Sequence, residues 1–181
     1  MSPDVREGKV LAICSSQVHG YPTYPQEKVK VEMDGIVGDA HSGPLRESFR
    51  NHGTFKRNDR PISIVAQETV DEMNKMFGLH IKPGGFNEQL LVEGLGDLSD
   101  VRIGELVMLE SGIGLYVVDN AQPCVRLNAY HGEQLMAKKL VTKNAEGEQI
   151  TKRGILANVL TPGVITLGES IKIFNPSVRS V

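Results

Sequence analysis

Cys124 lies in Gln122-Pro123-Cys124-Val125-Arg126, directly after an alternating apolar run, and is one of two cysteines in 181 residues. Proline cannot donate to a sheet ladder, so the run stops there and the next residue is delivered at a strand end. A thiol so placed is held firmly and still meets a ligand. Arg126 follows two residues on, and positive charge near a thiol favours the thiolate, the form that attacks electrophiles and binds soft metals. The competing reading is a buried cysteine acting as a small hydrophobe. For Cys14, inside the apolar run 9–15, that second reading is favoured.

A second chemical feature is the segment 41–60, HSGPLRESFRNHGTFKRNDR. It has no sustained period, yet carries Arg46, Arg50, Lys56, Arg57 and Arg60 against Glu47 and Asp59, a local balance of +3 in a chain of net charge −2. Long connections without secondary structure of their own tend to be functional or disordered. Arginine offers a planar fork matched to phosphate and other oxyanions, so the segment reads as an anion clamp or as a solvated basic loop.

The elements that must position these groups are short. Strands are expected over 9–15, 28–33, 61–66, 89–93, 106–110, 114–119, 155–160 and 170–174, from alternating or continuous apolar runs bounded by glycine and proline. In the first, Val10, Ala12 and Cys14 are placed on one face, and Leu11 and Ile13 on the other. A helix is expected over 67–77, with Val70, Met73, Met76 and Phe77 at helical spacing, early acids, Lys75 late and Gly78 as stop. The Met73/Met76 pair reads as core packing. A weaker helix is expected over 131–141, and the polar stretch 142–152 reads as a mobile loop, a possible lid. Many short strands with such punctuation favour a barrel or sandwich. No linker or repeat divides the chain, so residues 1–181 read as one domain with its core over about 8–174.

Composition excludes several functions. A net charge of −2, aromatic content of 5% and no tryptophan argue against a nucleic-acid surface. No apolar run approaches the ~20 residues that span a bilayer. The N-terminus lacks the basic start and apolar core of a signal peptide, so a reducing cytoplasm with free thiols is expected. There is no Gly-x-Gly-x-x-Gly, Walker loop, Cys-x-x-Cys or His-Glu-x-x-His, and His19, His80 and His131 read as surface or packing residues.

Taken in order, the blocks resemble a MOSC domain, the C-terminal domain of molybdenum cofactor sulfurases that also occurs as small bacterial proteins. The first half carries Gly35-Ile-Val-Gly-Asp-Ala-His-Ser-Gly-Pro44, Arg60-Pro-Ile-Ser-Ile-Val65 and Pro83-Gly-Gly-Phe-Asn-Glu-Gln-Leu90. The second carries Leu98-Ser-Asp-Val-Arg-Ile-Gly104, Gln122-Pro-Cys124, Lys152-Arg-Gly-Ile155 and Thr161-Pro-Gly-Val164. No single block is specific; the ordered set is.

The resemblance implies a mainly β fold, a distorted antiparallel barrel with one or two short helices. It also implies that Cys124 is the functional thiol, carrying sulfur as a persulfide or ligating molybdenum. His41, Arg46, Arg60, Glu88, Arg126 and Arg153 are then the residues expected around a bound molybdenum cofactor. Two activities follow: transfer of sulfur or the metal centre, with a sulfur donor or molybdoenzyme as partner, or a molybdenum-dependent reductase of N-hydroxylated compounds. A third reading is a non-catalytic barrel that binds an anion or a protein partner. No desulfurase domain accompanies the module, so no pyridoxal phosphate is expected. The chain departs from the family pattern at Glu88-Gln89, where Glu-Asn is usual, and at His52-Gly53, where the reductase-like members carry His-Gly-Gly.

Overall fold

The computed structural model describes residues 5–48 and 51–176; Arg50 of the basic segment lies outside the described residues. In chain order the elements are β1 (Arg6–Ser15), β2 (Tyr24–Gln26), β3 (Lys28–Glu32), β4 (Gly35–Ile36), β5 (Leu45–Glu47), β6 (Phe55–Arg57), β7 (Ile62–Ala66), α1 (Gln67–Phe77) and β8 (Leu90–Glu93). There follow β9 (Leu106–Leu109), β10 (Gly114–Asn120), α2 (Val125–His131), α3 (Met136–Lys139), β11 (Val141–Lys143), β12 (Gln149–Thr151), β13 (Ile155–Thr161), β14 (Gly163–Thr166) and β15 (Ser170–Phe174).

Seven strands close on themselves in the order β1-β15-β9-β10-β13-β7-β8, with β8 returning to β1 and β2 bonded along the far end of β1. Every pairing in this sheet is antiparallel except β7 with β8, which run parallel. Parallel neighbours need a crossover, and α1 with the following segment supplies it. The expected barrel is therefore present, as a mixed rather than purely antiparallel one. Beside it lie a three-stranded sheet, β14-β3-β4, and two hairpins, β5/β6 and β11/β12.

Two apolar layers hold the structure. Ile62, Ile64, Leu90, Leu115, Val117 and Ile155 are among the side chains that fill the barrel. Outside it, Val65 and Leu91 turn away from the interior and meet Val70 and Met73 of α1, Leu127 of α2 and Met136 of α3. This outer layer fixes the helices, and through α2 it fixes the segment carrying Cys124.

Four sequence expectations change. In β1 the register against β8 shifts between Val10 and Ala12, a bulge at Leu11. One extra residue reverses the alternation beyond it, so Val10 and Ile13 share the barrel interior while Ala12 and Cys14 face the outer layer. Helix α1 has its expected bounds and ends on Gly78 in the left-handed conformation, but only Met73 of the methionine pair is buried; Met76 is exposed. The expected helix over 131–141 is instead two short ones. Gly132 is left-handed and ends α2, and Asn128 bridges the break, its Nδ2 donating to the Gln134 carbonyl and its Oδ1 accepting from the Ala137 N–H. Finally, the segments read as structureless, 41–60 and 142–152, each form a two-stranded hairpin.

Candidate functional site

Strand β10 ends at Asn120, four residues before the thiol, and Cys124 is the extended residue immediately ahead of α2, its carbonyl accepting from Leu127 N–H at 3.1 Å. The peptide between is tied down from β12 and from Gly154, just ahead of β13. Ala121 N–H donates to the Gly154 carbonyl at 2.9 Å, and the Thr151 hydroxyl donates to the Ala121 carbonyl at 3.1 Å. Cys124 is half-buried, and its Sγ lies 4.0 Å from the hydroxyl of Tyr21, within hydrogen-bond reach for sulfur.

Tyr21 stacks on Tyr130 of α2, ring centroids 5.4 Å apart and planes 29° from parallel. Burial pushes the Tyr21 phenol above its ordinary range; the Arg153 guanidinium opposes that shift and Cys124 adds to it. Arg153 is only 8% exposed. Its Nη2 donates to the Phe86 carbonyl, its guanidinium carbon stands 5.8 Å from the Phe86 ring centroid, and its Nη1 is buried without a hydrogen-bond partner. Gly154 lets this arginine approach β7: a Cβ there would stand 2.1 Å from the Ile64 carbonyl oxygen, at a φ of +106°.

Glu88 faces its own loop. One carboxylate oxygen accepts from Gly84 N–H at 2.6 Å, the other from Phe86 N–H at 3.0 Å, and the residue is 1% exposed. Burial raises its pKa, against the pull of those N–H groups and of Arg153. Glu88 therefore shapes the turn that presents the Phe86 carbonyl to Arg153. Gly84 is obligatory in this turn: its φ is +87°, and a Cβ would stand 2.0 Å from the Thr23 carbonyl oxygen.

His41 belongs to a separate cluster. Its Nδ1 lies 3.0 Å from Oδ1 of Asp39, and Asp39 also accepts from the backbone N–H groups of Ser16 at 2.9 Å and His41 at 2.8 Å. Burial alone would raise the Asp39 pKa; the His41 and backbone hydrogen bonds outweigh it and hold the carboxyl below its ordinary value. Gln89, the residue that departs from the family pattern, spans this cluster. Its Oε1 accepts from the Ser63 N–H at 2.9 Å and hydroxyl at 2.6 Å, and its Nε2 reaches Asp39 at 3.4 Å.

The basic segment is less available than its composition suggests. Arg46 pairs with Asp59 at 3.1 Å across the hairpin, and Arg60 pairs with Asp119 of β10. Asn58 is buried and pins the segment by donating to the carbonyls of His41 and Gly43. Lys56 and Arg57 are exposed on β6, and Arg126 is exposed on α2. Of the residues expected around Cys124, the structure brings the charge of Arg153 to bear on Tyr21, the hydroxyl neighbour of the thiol, gives Glu88 a turn-forming place behind Arg153, and puts His41, Arg46 and Arg60 in other hydrogen-bonded settings. Among the described residues no group of three or more His, Cys, Asp or Glu side chains is gathered as a metal cage, and no helix is long and apolar enough to cross a membrane.

A cleft of about 580 Å³ opens beside this region, lined by Pro22, Thr23, Lys82, Gly85, Tyr130 and His131 among others. His131 donates from Nε2 to the Gly85 carbonyl at 2.8 Å, and burial holds its pKa below the usual imidazole range.

Tyr21 and Asp39 were missed as site residues. Asp39 sits in the Gly-Asp-Ala-His block and offered a motif signal, but Tyr21 lies in an aperiodic stretch, and only the fold brings it to Cys124.

The MOSC domain family matches residues 37–172, three quarters of the sequence, including Asp39, His41, Glu88, Cys124 and Arg153 but not Ser16 or Tyr21. The chain belongs to the MOSC domain family. A relative from Bacillus subtilis (strain 168), named "Putative metal-sulfur cluster biosynthesis proteins YuaD", is 28% identical over 175 residues, covering 91% of this chain and 89% of that protein. The crystal structure of the YuaD protein from Bacillus subtilis shares this MOSC fold with a TM-score of 0.79 and 24% identity, covering 95% of this chain and 98% of that one. YiiM from Geobacillus stearothermophilus superposes with a TM-score of 0.67 at 19% identity, over 94% of this chain and 77% of that one.

Proposed function

We propose that this MOSC domain carries sulfane sulfur on Cys124 for transfer to an acceptor in metal–sulfur chemistry. The observation that carries the reading is the half-buried thiol beside the Tyr21 hydroxyl, backed by a buried arginine with an unpartnered N–H. A persulfide needs a thiol that a donor can reach, yet that is shielded enough to slow loss of its sulfur; a half-buried position before a short helix meets both needs. The name of the Bacillus subtilis relative, which refers to metal-sulfur cluster biosynthesis, supports the same chemistry. Incubating the protein with inorganic polysulfide and measuring intact mass tests it. Wild type gains one sulfur atom on Cys124, and Cys124→Ala gains none; equal uptake by both proteins would end the proposal.

The residues also fit a molybdenum cofactor in one respect. Cys124 would give the metal its single protein sulfur, thiolate being a suitable soft ligand, and Arg153 would face the negative charge with its unpartnered Nη1. When bound, such a centre supplies two-electron redox chemistry, the basis of a second reading as a reductase of N-hydroxylated compounds. That reading requires molybdenum to copurify from a cofactor-producing host and to be lost in Cys124→Ala.

A further inference from the structure

We propose that Tyr21 is a catalytic residue of sulfur release, donating a hydrogen bond to Cys124 Sγ as that atom becomes the leaving thiolate. The inference rests on the carrier reading and adds to it the group that drives discharge.

The Tyr21 hydroxyl lies 4.0 Å from Cys124 Sγ, with the Arg153 charge nearby, and either atom of the neutral pair can donate. A thiolate has no proton to give, so once Sγ carries the charge the phenol is the donor. Stacking on Tyr130 fixes the ring, and Arg153 is itself fixed by the Phe86 carbonyl. The donor is therefore set in place before the reaction, which is what makes a hydrogen bond to a developing charge effective.

In the step itself, an acceptor nucleophile attacks the outer, protonated sulfur of the Cys124 persulfide. A bond forms between the nucleophile and that sulfur, the Sγ–S bond breaks, and its electron pair stays on Sγ. The proton of the outer sulfur passes to water. Sulfur leaves at the oxidation level at which it arrived, so no oxidant or reductant is consumed. A thiol that is more stable as its anion departs faster, while its nucleophilicity changes less steeply. Removing the Tyr21 hydroxyl should therefore slow discharge much more than loading.

The test compares wild type, Tyr21→Phe and Tyr24→Phe, each loaded with inorganic polysulfide and discharged to cyanide, with thiocyanate as the readout. Tyr21→Phe keeps the stacked ring, and Tyr24 is exposed on β2 and serves as the control. We expect discharge from Tyr21→Phe to fall about tenfold, the scale of one hydrogen bond to a charged atom, with loading changed less than about threefold and Tyr24→Phe unchanged. Equal discharge from Tyr21→Phe and wild type, or loading and discharge falling together, overturns the role of Tyr21 while leaving the carrier reading intact. Uptake of sulfur by Cys124→Ala, measured alongside, removes the carrier reading itself.

Discussion

Tyr21 and Cys124 are 103 residues apart in sequence and meet at 4.0 Å. That encounter distinguishes the two thiols of the chain. Cys14 is fully buried in the outer apolar layer, and burial, with the Glu88 charge adding and Thr23 opposing, pushes its pKa up to about 12. Cys124 is half-buried. Iodoacetamide applied to native protein near pH 8 is expected to label Cys124 alone, with Cys14 reacting only in denaturant. Peptide mass mapping decides, and native labelling of Cys14 would contradict the burial argument.

Gly84 permits the turn that holds Glu88. An alanine there would combine a left-handed backbone with a Cβ 2.0 Å from the Thr23 carbonyl oxygen. The conformational strain alone costs about 1–2 kcal/mol, and relief of the clash adds to it. Urea unfolding of Gly84→Ala should show a loss of at least 2 kcal/mol, with the Cys124 segment also loosened and alkylated faster.

Glu88→Gln tests the same turn by chemistry rather than shape. The carboxylate accepts from two backbone N–H groups, whereas an amide offers one oxygen and turns a donor toward the other. Leaving one buried N–H without its acceptor costs about 1–3 kcal/mol. The denaturation midpoint is expected to fall accordingly, and an unchanged midpoint would mean that the turn does not depend on both bonds.

Acid sensitivity follows from Asp39. Its carboxyl is held below the ordinary value by His41 and by the Ser16 and His41 N–H groups, which prevail over burial. A depressed carboxylate stabilises the fold above its unfolded pKa near 4, and that stability is lost as pH falls through the lower folded value. Asp39→Asn should therefore be less stable than wild type at pH 7, by about 1–3 kcal/mol, with the gap narrowing below about pH 4. Thermal unfolding at a series of pH values measures this.

The strands of the barrel were legible because their apolar runs are bounded by glycine and proline, and α1 because Val70 and Met73 recur against early acids and a late lysine. What escaped the sequence depended on partners. The bulge at Leu11 exists only relative to β8, so the faces of β1 could not be assigned from alternation alone. Helix α2 was displaced because Val125–His131 offers one buried side chain, Leu127, too little for a period to show. The hairpin β5/β6 is pinned by Asn58 to the carbonyls of His41 and Gly43, contacts that composition does not express. Cys124 was legible as a candidate from Pro-Cys and the ordered blocks. Arg46 and Arg60 were legible as charges, but not the carboxylates that occupy them.

The first long strand is hydrogen-bonded to the last: Arg6–Lys9 of β1 pairs with Ser170–Ile173 of β15. Until residue 174 has left the ribosome the cylinder stays an open sheet with two exposed margins, and such margins recruit other chains. A variant trimmed ahead of β15 should accordingly be found in inclusion bodies rather than as a weakened monomer.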